Sequence, residues 1–201
     1  ENEQSEMSLG SNPFTNAPAV NYGVKAVENV KSGAFDAVKC TYKNGRPSTA
    51  TIIGSDSSSN VVNIPAFIGD SLVTSIGQRA FYYHTEIKEV NFSPFIKTVQ
   101  RYAFAECREL NVLSLNEGLT TIDQMAFATN TMLGLFVLPS TVTTIGNGAF
   151  SYCYQKKILS YAPAKLPGWS ASASMYDGIL YNYNGKIERS DDGVIEVASC
   201  L

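Results

Sequence analysis

The segment Val-Thr-Ser-Ile-Gly-Gln-Arg-Ala-Phe at residues 73–81 returns in altered form as Val-Thr-Thr-Ile-Gly-Asn-Gly-Ala-Phe at residues 142–150. Its closing Ala-Phe pair occurs at 80–81, 103–104, 126–127 and 149–150, and each step is 23 residues. Equal steps without drift indicate tandem copies of one structural unit. A period in this range is typical of a solenoid whose every turn contributes a strand and a short helical or irregular segment.

Within one unit the spacing of apolar residues changes. Four positions follow at i, i+4, i+8 and i+11 and predict one face of a short helical segment: Ile76, Ala80, His84 and Ile87. Val90 and Phe92 then alternate with polar neighbours, as in a strand with one buried face. One unit alone buries too little, so stacking creates the core, with Phe104 and Phe127 as buried anchors.

A column of small hydroxyl residues keeps the same step and predicts a second run of stacked β-bridges. Its members are Ser75, Thr98, Thr121 and Thr144. Subtracting one period from Ile87 places the first strand near Ile64, and adding one period aligns Leu159 with Phe136. The array is therefore expected to close near Tyr161, with residues 162–167 leaving it.

These motifs resemble the BspA-like leucine-rich-repeat family of microbial surface proteins. The resemblance rests on the two nine-residue segments, on Cys107 and Cys153, which follow the Ala-Phe pairs, and on Leu-Pro-Ser at 138–140. It covers roughly residues 40–187, including Tyr42–Gly54, which is similar to an entry hairpin, and Asp177–Asn182, which is similar to a hairpin between repeat blocks. The pattern ends at residues 191–201, where a further Ala-Phe unit is absent.

The expected fold is a β-rich leucine-rich-repeat solenoid of the α/β superhelix type, with about four full turns, short helical turns and β-hairpin caps. We expect four regions along the chain. They are a flexible leader and N-terminal cap segment at 1–36, an N-terminal β-hairpin cap at 37–63, the solenoid of 23-residue repeats at 64–166, and a C-terminal hairpin cap at 167–201.

Composition narrows the classes of function. A formal net charge of −3 and the lack of a basic stripe give no reason to expect nucleic acid as a partner. No apolar run approaches the roughly 18 residues of a membrane helix, so we predict no membrane insertion of this chain. The polar residues 1–16 are interpreted as a leader left after processing. The family resemblance implies an extracellular or cell-surface location.

The four cysteines do not predict a disulfide scaffold. Cys107 and Cys153 lie in one column two units apart, which is about 10 Å in a stacked sheet, whereas a disulfide needs Cα atoms within about 7 Å. We therefore predict two buried thiols. Whether Cys40 and Cys200 meet is left open by the sequence.

Few residues suggest catalysis or metal binding. His84 is the only histidine, and its column holds Cys107, Asn130 and Cys153, none of which supplies a catalytic partner or a third metal ligand at a known spacing. The acidic stretches at 56–60 and 191–193 are typical of turns rather than calcium loops. We predict no catalytic residue, no metal site, no cofactor and no enzyme activity.

The outward positions of the strands suggest a binding surface. One such column reads Glu89, Val112, Leu135 and Ile158, and the next reads Asn91, Ser114, Val137 and Ser160. Val112, Leu135, Val137 and Ile158 are the candidate protein-binding residues, since an exposed apolar strip often marks an interface. A neighbouring block could equally cover the strip. A weaker candidate lies on the helical side and comprises Tyr82, Tyr83, Tyr152 and Tyr154.

Two main hypotheses about function follow. The first is an adhesion-type recognition module whose strand face binds a protein, either a host or microbial surface protein or a matrix protein, as the resemblance implies. The alternative is a structural spacer block that binds nothing. A carbohydrate-binding module using Trp169 is a remote third. The oligomeric state is left open.

Overall fold

The computed structural model describes residues 24–42, 47–154, 157–162, 164–170, 179–180, 187–189 and 195–197 of the chain. All regular secondary structure in this described part is β-strand. The strands are β1 Val24–Ser32, β2 Phe35–Tyr42, β3 Thr49–Ser55, β4 Val61–Asn63, β5 Phe67–Ile68, β6 Ser71–Ile76, β7 Glu89–Asn91, β8 Thr98–Val99, β9 Val112–Ser114, β10 Thr121–Ile122, β11 Leu135–Leu138, β12 Thr144–Ile145, β13 Lys157–Ser160, β14 Ile179–Leu180, β15 Ile187–Arg189 and β16 Ile195–Val197.

The longest sheet joins the N-terminal cap to the repeats. Strands β1, β2 and β3 form an antiparallel meander, and β3 then pairs in parallel with β6. From β6 the sheet continues in parallel through β8, β10 and β12. Ser75 pairs with Thr98, Thr98 with Thr121, and Thr121 with Thr144, which confirms the predicted hydroxyl ladder.

The second face of the solenoid carries the strands predicted from alternation. It consists of two parallel three-stranded sheets, β4-β7-β9 and β11-β13-β14. Where the two sheets adjoin, the Gly134 N–H reaches the Asn111 carbonyl at 3.5 Å, at the outer limit for a hydrogen bond. The turns therefore stack along the whole strand face, but the hydrogen-bonded strand pairing is interrupted between β9 and β11.

The third face is made of turns, and the prediction of short helical turns in an α/β superhelix is wrong. Backbone N–H groups here donate across to the next turn of the solenoid: Phe81 to Ala103, Phe104 to Ala126 and Phe127 to Ala149, each at 2.8 Å. A helix would direct them to its own preceding turn. Left-handed residues recur twice per unit at φ between 53° and 65° and redirect these N–H groups: Arg79, Tyr83, Tyr102, Glu106, Met125, Thr129, Gly148 and Tyr152.

The core is built around one column of phenylalanines. Phe81, Phe104, Phe127 and Phe150 are all 0 % exposed, and each ring stacks on the next with interplanar angles of 2–4° and centroids 4.8–5.6 Å apart. Isoleucine, leucine and valine from both strand faces surround this column. The repeat period fixes the stack, since one Phe per turn lies directly above its predecessor.

At the N-terminal end, the first strand does not begin near Ile64 as the period predicts. Strand β4 ends at Asn63, and Val62 pairs with Val90, a step of 28 residues instead of 23. Ile64 follows the strand, is buried, and donates its N–H to the Asn91 carbonyl at 2.9 Å. The longer first unit accommodates β5, which pairs antiparallel with β6.

The register also shifts at β13. Ile158 pairs with Phe136, a step of 22 residues, so aligning Leu159 with Phe136 is wrong. The chain has one residue fewer between Cys153 and Lys157 than between Cys107 and Val112. Because side chains alternate along a strand, this single deletion reverses the faces of all residues in β13 relative to the 23-residue count.

The array does not close near Tyr161. Strand β13 pairs in parallel with β14, which lies inside the segment Asp177–Asn182, and the rest of that segment falls outside the described residues. Trp169 forms a parallel bridge with Ile145, so the chain after Tyr161 continues the ladder rather than leaving it. Strands β15 and β16 pair antiparallel in the region expected to form the C-terminal cap. In the described part, no helix has the length and apolarity needed to cross a membrane.

Candidate binding surfaces

The outward strand face is mainly polar toward the N-terminal cap. Glu89, Asn63 and Asn91 lie there on β4 and β7, and Asn91 Nδ2 donates to Asn63 Oδ1 at 2.9 Å and to Glu89 Oε1 at 2.7 Å. The side-chain amide of Asn91 thus donates both of its hydrogen bonds to neighbouring side chains on β4 and β7. This half of the face is internally bonded, and its exposed apolar residue is Val61 on β4, which is 37 % exposed and pairs with Glu89.

The apolar strip occupies the next two strands. Val112 on β9 is 45 % exposed, and Leu135 and Val137 on β11 are half-buried. The structure therefore brings three of the four predicted binding residues together on one face. Their side chains alternate with Leu113 and Phe136, which point into the core, as the period of two requires.

Ile158 does not belong to this strip, and its prediction as an outward residue is wrong. It is 0 % exposed and lies in the main core, because of the one-residue shift at β13. Lys157 pairs with Leu135 and takes the outward position. Leu159 pairs with Val137 and is also fully buried, although it lies outside the main core cluster. The outward apolar strip therefore ends at β11.

The column that contains the only histidine has a structural role. Cys107 Sγ donates to the Phe81 carbonyl at 3.1 Å, Asn130 Nδ2 to the Phe104 carbonyl at 3.0 Å, and Cys153 Sγ to the Phe127 carbonyl at 3.1 Å. Each member thus satisfies a buried carbonyl of the preceding turn. Burial raises the pKa of the Cys107 thiol to about 12, which removes it as a nucleophile at neutral pH.

His84 stands at the start of this column, and its Nδ1 lies 3.1 Å from Glu86 Oε1. Its ring packs edge-on against Phe81 with centroids 5.8 Å apart. Cys107 and Cys153 are both thiols, as predicted. Over the described residues, no group of three His, Cys, Asp or Glu side chains is placed to hold a metal ion.

The two acidic stretches have different outcomes. Asp56 in the stretch 56–60 accepts a hydrogen bond from Lys31 Nζ at 2.7 Å, and this bond lowers the pKa of the Asp56 carboxyl. The stretch thus pairs with the cap. The stretch 191–193 lies outside the described residues.

Trp169 is not available to a carbohydrate ligand. It is 3 % exposed, and its Nε1 donates to the Val142 carbonyl at 3.2 Å. A sugar-stacking platform needs an open ring face. This indole instead covers the end of the parallel ladder formed by β6, β8, β10 and β12, which we call the Thr-Ile ladder. The tryptophan-based carbohydrate prediction is therefore wrong.

The turn face carries an exposed group of arginine and tyrosine side chains that the sequence shows only in part. Tyr82 is 44 % and Tyr83 59 % exposed, and both are sequence-predicted candidates. Arg79 and Tyr102, which join them, were missed. The sequence feature that points to them is the 23-residue step, because residues 79 and 102 hold the same position in adjacent units. Tyr152 and Tyr154 are also exposed, toward the other end of this face.

Comparison with known proteins supports the repeat assignment. The family model described as the BspA type leucine-rich repeat region matches six copies over residues 28–159. A search of curated proteins finds no match. A solved leucine-rich repeat protein from Bacteroides capillosus ATCC 29799 is 26% identical with a TM-score of 0.56, and the match covers 66% of this chain and 97% of that one.

Two further solved structures share the fold. A leucine-rich cell surface protein from Faecalibacterium prausnitzii A2-165 is 22% identical with a TM-score of 0.52, over 85% of this chain and 60% of that one. The pneumococcal vaccine antigen PcpA is 20% identical with a TM-score of 0.56, over 72% of this chain and 38% of that one. This chain therefore matches only part of the length of both.

Proposed function

The chain belongs to the BspA-type leucine-rich-repeat family, and on that premise we propose that it is an extracellular or cell-surface recognition module of the adhesion type. Its partner is a protein, a surface or matrix protein of a host or microbe, and it binds at the strand face. The observation that carries the proposal is the outward apolar strip formed by Val112, which is 45 % exposed, and the half-buried Leu135 and Val137. The surface location draws support from the F. prausnitzii cell surface protein, which shares the fold.

The surroundings of the strip have the anatomy of a small interface. Apolar side chains form its centre, Ser114 and Lys157 lie at its rim, and the bonded Asn-Glu ladder bounds it on the cap side. Binding energy concentrates in central residues that lose their water on contact. Leu135 is central, since Val112 and Lys157 flank it on neighbouring strands and Val137 lies two residues along its own strand.

The spacer alternative has one observation in its favour. Leu159 occupies the same outward face on β13 and is completely buried, so this face is covered at one end. If a following repeat block covered β9 and β11 as well, the strip would serve contacts within a longer protein. The two functions differ in whether Leu135 is open to a partner.

Replacing Leu135 with lysine tests the proposal. The side chain lies outside the core, so Leu135→Lys is expected to retain the wild-type melting temperature within a few degrees. Binding to immobilised extracellular-matrix proteins, or to a second copy of the chain, is expected to fall at least tenfold, because a charge is forced into an apolar contact. Met132→Lys is the matched control, since Met132 is 47 % exposed in the same unit and precedes β11.

The outcomes of this experiment distinguish the recognition module from the spacer. Binding lost in Leu135→Lys but kept in Met132→Lys supports the strand face as the recognition surface. A Leu135→Lys protein that unfolds places the residue in the core and overturns the proposal. Undiminished binding moves recognition to another face, and a wild-type chain that binds neither matrix proteins nor itself favours the spacer.

A further inference from the structure

A compact group of arginine and tyrosine side chains covers the turn face of the first two units, away from the strand face. The Arg79 guanidinium carbon lies 5.7 Å from the Tyr82 ring centre and 5.6 Å from that of Tyr102. The Arg101 guanidinium carbon lies 4.9 Å from the Tyr102 ring centre. Tyr83 extends the group beside Tyr82, with ring centroids 6.3 Å apart. We call Arg79, Tyr82, Tyr83, Arg101 and Tyr102 the Arg-Tyr cluster.

The solenoid does not need these side chains in order to stack. The position of Tyr82 is held in the later units by Ala105, Ala128 and Ser151. The position shared by Arg79 and Tyr102 is held later by Met125 and Gly148. At the second of these positions the backbone hydrogen bond to the next turn is the same for three different side chains: Arg79 N donates to the Arg101 carbonyl at 3.2 Å, Tyr102 N to the Gln124 carbonyl at 3.2 Å and Met125 N to the Asn147 carbonyl at 3.0 Å. The cluster is thus an addition to the repeat and not part of its framework.

The two arginines of the cluster have no acidic partner among the described residues. The nearby carboxylates are engaged elsewhere: Glu106 accepts two hydrogen bonds from Arg108, at 3.0 and 2.9 Å, and Glu86 contacts His84. Cation–π stacking uses the flat face of a guanidinium and leaves its N–H groups free in the plane. The Arg101 Nη2 donates to the Tyr102 hydroxyl at 3.5 Å, at the outer limit for a hydrogen bond, and no other side-chain hydrogen bond of Arg79 or Arg101 forms within the described residues. The remaining N–H donors of both arginines are therefore available for a ligand.

We infer that the Arg-Tyr cluster is a second binding surface and that it takes a carboxylate-rich segment of a partner polypeptide. A guanidinium fork matches a carboxylate in two parallel hydrogen bonds. Exposed tyrosine hydroxyls beside it suit backbone groups of a peptide, and Tyr and Arg are the residues that dominate protein interfaces. The chain as a whole carries a formal net charge of −3, so this pair of arginines without an acidic partner in the described part is a local departure from the charge of the molecule.

A polyanionic glycan fits the cluster less well. Such a ligand is held by an extended basic stripe, whereas here two guanidiniums without an acidic partner among the described residues lie in adjacent turns. Sugar rings also stack on open aromatic faces, and the Tyr102 ring already has Arg79 and Arg101 stacked on it. A short acidic peptide needs neither feature.

The test measures binding of a fluorescent 16-residue peptide of alternating Glu and Ser to the whole chain, by anisotropy at low and at physiological salt. A peptide of alternating Gln and Ser is the neutral probe. The double variant Arg79→Gln/Arg101→Gln is expected to bind the acidic peptide at least about tenfold more weakly, because charge-assisted hydrogen bonds are lost. Lys88→Gln/Lys165→Gln removes the same charge at two exposed sites outside the cluster and is expected to bind as the wild type does.

The inference stands if the acidic peptide binds more tightly than the neutral one, and if only the arginine double variant loses the difference. It is overturned if the two peptides bind alike, or if both double variants weaken binding equally, which would indicate net charge alone. It is also overturned if a sulfated heparin oligosaccharide binds at the arginines more tightly than the peptide. Leu135→Lys is expected to leave peptide binding unchanged, so failure here is separable from failure of the strand-face proposal.

Discussion

At the scale of single residues, the fold depends on one phenylalanine per turn. The four buried rings are nearly parallel, and the two central ones, Phe104 and Phe127, each stack on a ring on both sides. Every ring thus contributes both burial within its own turn and contact between turns, and aromatic contact adds about 0.5–1.5 kcal/mol beyond burial. Removing one of the two central rings leaves a cavity between the rings that stacked on either side of it.

Truncation of either central ring is therefore expected to be costly. Phe104→Ala or Phe127→Ala should lower the free energy of unfolding by about 3–5 kcal/mol, as measured by chemical denaturation. Phe67→Ala is the control, since Phe67 is 52 % exposed and should lose under about 1 kcal/mol. Losses below about 1 kcal/mol at both central positions would contradict the stacked core.

The buried thiol of Cys107 makes stability depend on pH in the alkaline range. Burial raises its pKa from 9.0 to about 12, so above pH 9 the unfolded chain releases a proton that the folded chain keeps. The contribution to stability is complete below pH 9 and is lost as the pH rises toward 12. Wild type should therefore lose about 2 kcal/mol more than Cys107→Ala between pH 8 and 10.5.

Urea unfolding of both proteins at the two pH values measures this difference. The variant also loses the hydrogen bond to the Phe81 carbonyl, but that loss is common to both pH values and cancels in the comparison. Equal pH dependence in the two proteins would show that the thiol is hydrated in the folded state.

At the scale of elements, the sequence predicts strands well and the turn face poorly. Alternation at Val90 and Phe92 reports a buried strand face directly, and the hydroxyl column reports the second ladder. Spacings of i and i+4 at Ile76 and Ala80 suit a helix, but they also suit a turn that places the same side chains inward. The difference lies in left-handed residues such as Arg79 and Tyr83, and non-glycine side chains carry almost no signal for that conformation.

Register errors have a different origin. A fixed period predicts every column until the chain gains or loses a residue, and β13 follows such a deletion. Lys157 and Ile158 then exchange faces, and the candidate site loses a member to the core. The strip of Val112, Leu135 and Val137 was predictable, because it lies on strands one regular period apart. Of the Arg-Tyr cluster, Tyr82 and Tyr83 were predictable as outward tyrosines, whereas the stacking of Arg79 on Tyr102 was not, because neither the repeat pattern nor burial selects an arginine and a tyrosine at this position.

At the scale of the whole molecule, stability comes mainly from contacts between neighbouring turns of the solenoid. Each turn contacts mainly its neighbours through the Phe stack, the Thr-Ile ladder and the turn hydrogen bonds. The N-terminal end is covered by the meander β1–β3, and Trp169 covers the last ladder position by bridging Ile145. Both ends of the described stack are thus closed by residues that depart from the repeat pattern.

This arrangement makes the two ends separable by mutation. Trp169 is the only tryptophan, so its fluorescence reports the C-terminal end, whereas far-UV circular dichroism reports all turns. Phe150 lies in the unit that contains Ile145 and Val142, the residues that Trp169 contacts. Phe150→Ala is expected to lower the fluorescence midpoint in urea below the dichroism midpoint, because it weakens the coupling of the last turns to the rest.

Phe81→Ala removes an equivalent ring at the opposite end and is the matched control for position. Loss of the Phe81 ring should lower the dichroism midpoint at least as much as the fluorescence midpoint, because the turns around Trp169 retain Phe127 and Phe150. Wild type should show coincident midpoints, since the unbroken stack couples neighbouring turns. If both variants shift both signals equally, the solenoid unfolds as one unit, and the coupling between turns exceeds the cost of losing a ring.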